Sequence, residues 1–271
     1  MDIKYVNSRN QEVNLNKEPY KMLVSDLLDY EWEEVVYNNK IRGFGYSVSE
    51  KELNIDVFRG NGQTARDNMN DLTDIFETDV ISGIPGRLYI NDQYMNCFIK
   101  SSKKTGWETN EIIPCTYGLI TDYPFWIKEQ KRGFFPQNGG ASSGLDYQFD
   151  YKHDYTGKQS GSEDWYIDHF APSKFVMNIY GPCVNPKVDI GDNTVEIFDT
   201  VNENEYIQID SRNHTVVKYM TNGFIKNLYD NRAKDKSIFN PMPYGNAIVS
   251  WNGTFGFDVT LFLERSEPKC N

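Results

Sequence analysis

GRLYINDQYMNCFIKSSKKTGWETNEIIPCTYGLITDYPFW, residues 86–126, decides the fold class. Residues 88–90 are β-formers, Asn91 and Asp92 follow, and residues 94–100 run back with strand character. Asn and Asp tolerate positive φ, so the pair predicts a tight turn and the flanking runs predict a hairpin. Residues 101–106 are a polar turn, and residues 107–121 read as a third strand. Pro114 cannot donate to a ladder, which puts it at an edge or a bulge. Tyr123, Pro124, Phe125 and Trp126 close the stretch as an exit strand, because the residue before a proline is pushed to extended geometry. Nothing here has the form of a catalytic motif.

On the N-terminal side, residues 64–79 carry the one strong helical pattern. Met69, Leu72, Ile75 and Phe76 recur at spacings of three and four and line one face. Arg66, Asp67, Asn70, Asp71 and Asp74 fall outside it. Thr64 is placed to cap the helix, with Asp67 three residues on as a weaker stand-in for the Glu of a capping box. Gly83 and Pro85 predict an end near Asp79. Residues 20–24, 30–37, 44–48 and 53–58 read as strands. In the last, Leu53, Ile55 and Val57 alternate with Asn54 and Asp56, and Gly60, Asn61 and Gly62 end it.

On the C-terminal side the composition changes. Residues 129–172 hold two Gly- and Ser-rich runs, 137–144 and 156–164, around a polar aromatic stretch, and read as a connection or arm. From residue 173 the chain reads as strands alone, at 175–180, 187–190, 194–198, 206–209, 215–220, 247–251 and 255–263. Turns every 8 to 12 residues predict a sandwich. The fold expected is therefore mainly β in two domains: residues 1–128 with one helix, the connection 129–172, and an all-β domain 173–271.

Composition narrows the functions. A chain of 271 residues, 39% hydrophobic with 18 Tyr and 16 Phe, can bury real cores, and its aromatics favour sheet. A net charge of −11 argues against wrapping or sequence-specific reading of nucleic acid, which needs clustered Lys and Arg. It does not exclude a channel through which DNA slides. Residues 1–20 are polar, with no signal-peptide pattern, and no apolar run approaches the roughly 20 residues of a membrane span. The expectation is a soluble protein made in a cytoplasm, with no membrane insertion.

The candidate chemistry is sparse. Cys97, Cys115, Cys183 and Cys270 form no C-x-x-C pair and read as free, mostly buried thiols. His153, His169 and His214 show no ligand spacing. Glu33 and Glu34, Glu163 and Asp164, and Asp189 and Asp192 could pair, but among 39 acidic residues such adjacency is expected by chance. Residues 189–193 lack the alternation and final Glu of a calcium loop and read as a turn. Ser142 and Ser143 sit in no G-x-S-x-G elbow, and Gly43 and Gly45 open no dinucleotide site. Trp165, Tyr166, Tyr229, Trp251 and Phe255 could stack on sugars, with core packing preferred for Trp251 and Phe255. No catalytic, cofactor or metal residue is assigned, and any carbohydrate-binding residues are left open.

A set of marks resembles the distal tail proteins of long-tailed, non-contractile phages. They are Asn70 to Phe76, Pro85 to Tyr94, Cys97 to Ile99 and Asp122 to Trp126 in the first half. The second half adds Ile179 to Pro182, Asn185 with Pro186, Ile207 to Ser211, Phe239 to Pro243, and Gly245 with Asn246. The resemblance implies a β-sandwich with one helix and a projecting hairpin arm, then a galectin-like sandwich. It implies a ring, six-membered, at the virion tail tip, through which DNA passes. The ring's partners would be its own copies, the tail tube protein, a tail-associated hub or tape-measure protein, and receptor-binding proteins. It carries no catalytic residues, and its galectin-like domain often lacks a sugar site. Phage, prophage remnant and phage-like bacteriocin are not distinguished. The alternatives are a carbohydrate-binding module for host wall sugar and, after it, a cell-wall hydrolase.

Overall fold

The structure, a computed structural model, describes residues 1–23, 25–108, 110–137 and 161–269. The expected runs at 137–144 and 147–155, with His153, Ser142, Ser143 and Cys270, lie wholly or almost wholly outside the described residues. The described chain is mainly β, with one α-helix. It divides into two compact units, residues 1–128 with the stretch from Glu264, and residues 129–263.

The first unit contains β1 (Ile3–Val6), β2 (Glu12–Asn14), β3 (Tyr20–Met22), β4 (Glu33–Tyr37), β5 (Lys40–Gly45), β6 (Ser49–Phe58), α1 (Ala65–Ser82), β7 (Gly86–Ile90), β8 (Gln93–Lys104), β9 (Ile112–Thr121) and the start of β10 (Trp126–Phe134). Its antiparallel ladder runs β2, β1, β7, β8, β9, β6, β3. β8 belongs to both halves of it: residues up to Cys97 pair with β7, and Phe98 onward pairs with β9. A register shift between Ile99 and Ser101 marks the passage, and such a bulge bends a strand and increases its twist. Leu53, Ile55 and Val57 of β6 are buried at period 2, with Leu88, Ile90, Met95, Tyr117 and Leu119 from the other strands.

The helix packs on this core through Ala65, Asn68, Leu72, Phe76 and Asp79, with Met69 and Ile75 partly buried. Phe76 meets Tyr5 and Tyr117 edge-on, at 4.9 and 5.0 Å. The capping box forms: the Asp67 amide donates to Thr64 Oγ1 at 3.2 Å, and the Thr64 amide to Asp67 Oδ2 at 3.1 Å. The helix outlasts its expected end near Asp79. It runs to Ser82 and stops at Gly83, whose φ of 66° supplies the left-handed cap. The return strand also outlasts the expectation, to Lys104, so the next begins at Ile112 rather than 107.

The second unit has the end of β10 and then β11 (Gly161–Ile167), β12 (Lys174–Tyr180), β13 (Cys183–Val184), β14 (Lys187–Ile190), β15 (Asn193–Glu196), β16 (Thr200–Val201), β17 (Tyr206–Asp210), β18 (Thr215–Tyr219), β19 (Ile225–Asn227), β20 (Gly245–Trp251) and β21 (Phe257–Arg265). One sheet runs β19, β18, β17, β12, β21; the other runs β11, β20, β14, β15. Phe175, Met177, Ile179, Ile207, Val259 and Leu261 of the first share a core with Trp165, Val188, Ile190, Val249 and Trp251 of the second. Ordered strand therefore occupies part of the stretch 129–172, read from sequence as a connection. Phe134 of β10 stacks on Phe257 at 4.7 Å, and all seven residues of β11 pair with β20. The chain from Glu264 groups with the first unit, not with the all-β run that precedes it.

Candidate assembly surface

The segment 33–45 is the element least explained by the fold around it. β4 supplies Val35, Val36 and Tyr37, all good strand formers, and β5 returns with Ile41 and Phe44. Asn38 and Asn39 link them with φ of 51° and 57°. Two consecutive positive φ values form the primed turn that matches strand twist, and Asn accepts them at little cost. Tyr37 pairs with Lys40, Val36 with Ile41 and Glu34 with Phe44, with a bulge between Val35 and Val36. Partners across a ladder share a face, so Val36, Ile41 and Phe44 form one apolar stripe. Val35 and Tyr37 lie on the other face, opposite Gly43 and Lys40.

Among the described strands, β4 and β5 pair only with each other. Val35, Val36, Tyr37, Ile41 and Phe44 are between 54% and 64% exposed. A two-stranded ribbon alone is marginal in water, and clustered exposed apolar side chains mark an interaction surface. The hairpin is therefore a two-stranded ribbon with exposed apolar side chains on both faces.

Its root is rigidly held. Trp32 and Tyr46, just outside the two strands, both contact the Phe125 ring, at 5.7 and 5.0 Å, and Tyr123 meets Tyr46 and Phe125 at 5.6 and 4.9 Å. Lys51 is 8% exposed, and its ammonium donates to the Asp26 carbonyl at 3.1 Å and to the Asp29 carbonyl. Burial lowers its pKa, opposed by Asp26 and Asp29. A cleft of about 360 Å³ opens beside this root, lined by residues including Glu31, Glu33, Glu50, Lys51 and Phe125. It holds carboxylates and one lysine committed to carbonyls, with no histidine or cysteine.

The residues singled out from sequence do not converge. Glu33 and Glu34 lie exposed on β4. Glu163 pairs with Arg132 at 3.1 Å, while Asp164 points the other way on β11. Asp189 accepts from the Thr194 hydroxyl at 2.6 Å across the turn between β14 and β15, as expected of a strand-linking turn. His169 lies against Phe170 at 4.5 Å, and His214 stacks on Phe239 at 4.9 Å. Trp165, Trp251 and Phe255 are buried; Tyr166 is exposed, and Tyr229 lies under the Arg232 guanidinium at 3.7 Å. Cys97, Cys115 and Cys183 are buried. Burial raises all three thiols, Cys183 to about 11, which removes the thiolate a nucleophile needs. Among the described residues no group of three His, Cys, Asp or Glu could hold a metal ion.

The resemblance implied a hairpin arm on the first domain without placing it, and the residue patterns alone offered residues 129–172 as a connection or arm. The hairpin's signal was Asn38 and Asn39 between two runs of β-formers, and residues 30–37 and 44–48 were read as separate strands.

No family model matches this chain, and no curated protein matches it. Solved structures do. The crystal structure of the SPP1 Dit (gp 19.1) protein, described as a paradigm of hub adsorption apparatus in phages infecting Gram-positive bacteria, superposes with a TM-score of 0.61 at 10% identity. The alignment covers 97% of this chain and 99% of that one. The chain has the Dit fold. Chains of the phage P2 baseplate in its activated conformation, with calcium and with strontium, give TM-scores of 0.60 at 11% and 12% identity, each covering 98% of this chain and 99% of theirs. The Dit fold thus accounts for this chain nearly end to end.

Proposed function

We propose that this protein is a structural hub of a phage tail tip, a ring that joins the tail tube to the host-adhesion apparatus and lets DNA pass. The observation that carries the reading is the end-to-end correspondence with a hub protein, 97% of one chain on 99% of the other. The arm supports it. A ring closes head to tail only if each subunit offers two different, complementary surfaces, and an arm laid on the neighbour is one of them. The net charge of −11 suits a passage in which DNA phosphates must slide without sticking. The partners proposed are further copies, six in a ring, the tail tube protein, a tail-associated hub or tape-measure protein, and receptor-binding proteins. The virion tail tip is the proposed location. The role is non-enzymatic, in keeping with the raised thiols and scattered carboxylates. Among the described residues no helix is long and apolar enough to cross a membrane. Electron microscopy of the purified full chain, with its mass followed by light scattering over a concentration series, tests the reading. Ring-shaped particles are expected, and a monomer at every concentration would overturn it.

A second reading, carbohydrate binding by the second unit, has its own observation. Tyr180, Tyr206 and Tyr219 form a row across β12, β17 and β18, with centroids 6.1 and 4.7 Å apart. Beside it Asn178 donates to Asp258 at 3.0 Å and Gln208 to Asn178 at 3.1 Å, while Lys131 pairs with Asp258 at 3.2 Å. Aromatic planes beside amides and a carboxylate suit a sugar's C–H face and hydroxyls. A glycan screen with the full chain and with Tyr206→Ala decides it: hits that vanish in the variant support sugar binding, and no hits remove it.

A further inference from the structure

The cleft at the root of the hairpin combines two kinds of side chain that the fold itself does not require there. Its volume is about 360 Å³, and Tyr30, Trp32, Tyr46 and Phe125 give it aromatic surface. Tyr30, Trp32 and Tyr46 stay 57%, 39% and 44% exposed, so much of that surface is open to solvent. The rings are inclined rather than stacked: Trp32 meets the Phe125 plane at 58° and Tyr46 meets it at 88°. Rings set at such angles wall a concave space, whereas parallel rings would cover one another's faces. Tyr123, outside the lining, contacts both Tyr46 and Phe125 and is tied through its hydroxyl to the Glu264 carboxylate. The aromatic walls are thus fixed before anything binds, and a pre-organised site loses little entropy on binding.

The charge of the lining is one-sided. Asp29, Glu31, Glu33 and Glu50 contribute carboxylates, and among the described residues that line the cleft Lys51 is the only basic one. Its buried ammonium is spent on the Asp26 and Asp29 carbonyls. Glu50 has a partner, Lys100, at 2.5 Å. Among the described residues no Lys or Arg pairs with Glu31 or Glu33. An anion is repelled from such a place. A bare metal ion is not served either, since among the described residues no group of three His, Cys, Asp or Glu could hold one. What fits is an organic cation. An aromatic face attracts positive charge through its quadrupole but offers no directional acceptor, which suits an ammonium whose hydrogens are replaced by methyl groups. Neighbouring carboxylates add countercharge.

We propose that this cleft binds the quaternary ammonium group of a small molecule, with Trp32, Tyr46 and Phe125 as walls and Glu31 and Glu33 as countercharge. The volume lies within the range of small-molecule sites. The site stands apart from the ring reading, because every residue it uses belongs to the first unit of one copy.

Calorimetric titration of the full chain with choline tests it. Saturable binding is expected, and the neutral analogue with carbon in place of the ammonium nitrogen should bind roughly tenfold more weakly or not at all. Trp32→Ala removes one wall and should weaken choline binding roughly fivefold. Glu31→Gln combined with Glu33→Gln, both at exposed positions, leaves the rings in place. That variant should also bind choline more weakly and lose most of the wild type's dependence on salt. It keeps the test intact if Trp32→Ala folds poorly. No binding of choline would overturn the site. So would equal binding of the neutral analogue, or an affinity for choline unchanged in both variants.

Discussion

Asp79 is a fully buried carboxylate on a helix face otherwise lined by Leu72 and Phe76. It is tolerated because it is hydrogen-bonded twice, by the Tyr5 hydroxyl at 2.6 Å and the Ser8 amide at 2.7 Å. Burial pushes the Tyr5 phenol well above its ordinary range, so it stays a donor at any working pH. Gly86 completes the site by absence: a Cβ there would come within 2.3 Å of both Asp79 Oδ2 and the Tyr5 hydroxyl. Gly86→Ala is therefore expected to cost about 1–3 kcal/mol, the range for overpacking, and Tyr5→Phe a similar amount for a buried acceptor left half-satisfied. Urea unfolding measures both, and wild-type stability in either variant would refute the role. The second unit holds a comparable pair, Lys218 and Glu205, each 5% exposed and 2.8 Å apart. The bond from Lys218, then the Asn202 amide, holds the Glu205 carboxyl below the usual carboxylate range. A depressed carboxyl stabilises the fold above its unfolded pKa, near 4.5, and that contribution fades as pH falls through the lower folded value. Tm of wild type and Glu205→Gln should differ at pH 7 and converge below pH 4.5. A gap constant with pH would remove Glu205 as the cause.

Elements were legible where one local rule governs them. Thr64 and Asp67 announced the start of α1, and the capping box formed as read. Thr64→Ala should cost about 0.5–2 kcal/mol in urea unfolding, and no change would mean that packing alone fixes that helix end. The Asn91 and Asp92 turn joined β7 to β8 as expected, with Tyr89 paired to Tyr94 and Ile90 to Gln93. The limits failed where tertiary partners decide. β8 runs past Lys100 because β9 is there to pair with Lys103 and Lys104. The strand reading at 30–37 and 44–48 blurred β4 and β5, because periodicity says which residues share a face but not whether anything covers that face. Val80 and Ile81 fell beyond the helix end read near Asp79, and in the fold they form its exposed last turn.

For the whole molecule the decisive property of the arm is that folding does not need it. Every residue of β4 is exposed, and the core of the first unit is built from other strands and α1. Its root is closed without it, since Trp32 and Tyr46 both rest on Phe125. A chain in which residues 33–45 are replaced by two glycines should therefore fold with a Tm within a few degrees of wild type, because no residue of the segment is buried. Removing Val36, Ile41 and Phe44 from water contact would even favour solubility of the monomer. Assembly should behave oppositely. If the arm supplies one of the two surfaces a closed ring requires, the shortened chain stays at the monomer mass of 31.4 kDa, less the excised residues, at concentrations where wild type forms particles. Circular dichroism and light scattering on one preparation separate the two effects. Loss of fold would mean that the arm is structural within the subunit, and rings of normal size would mean that closure runs through another surface.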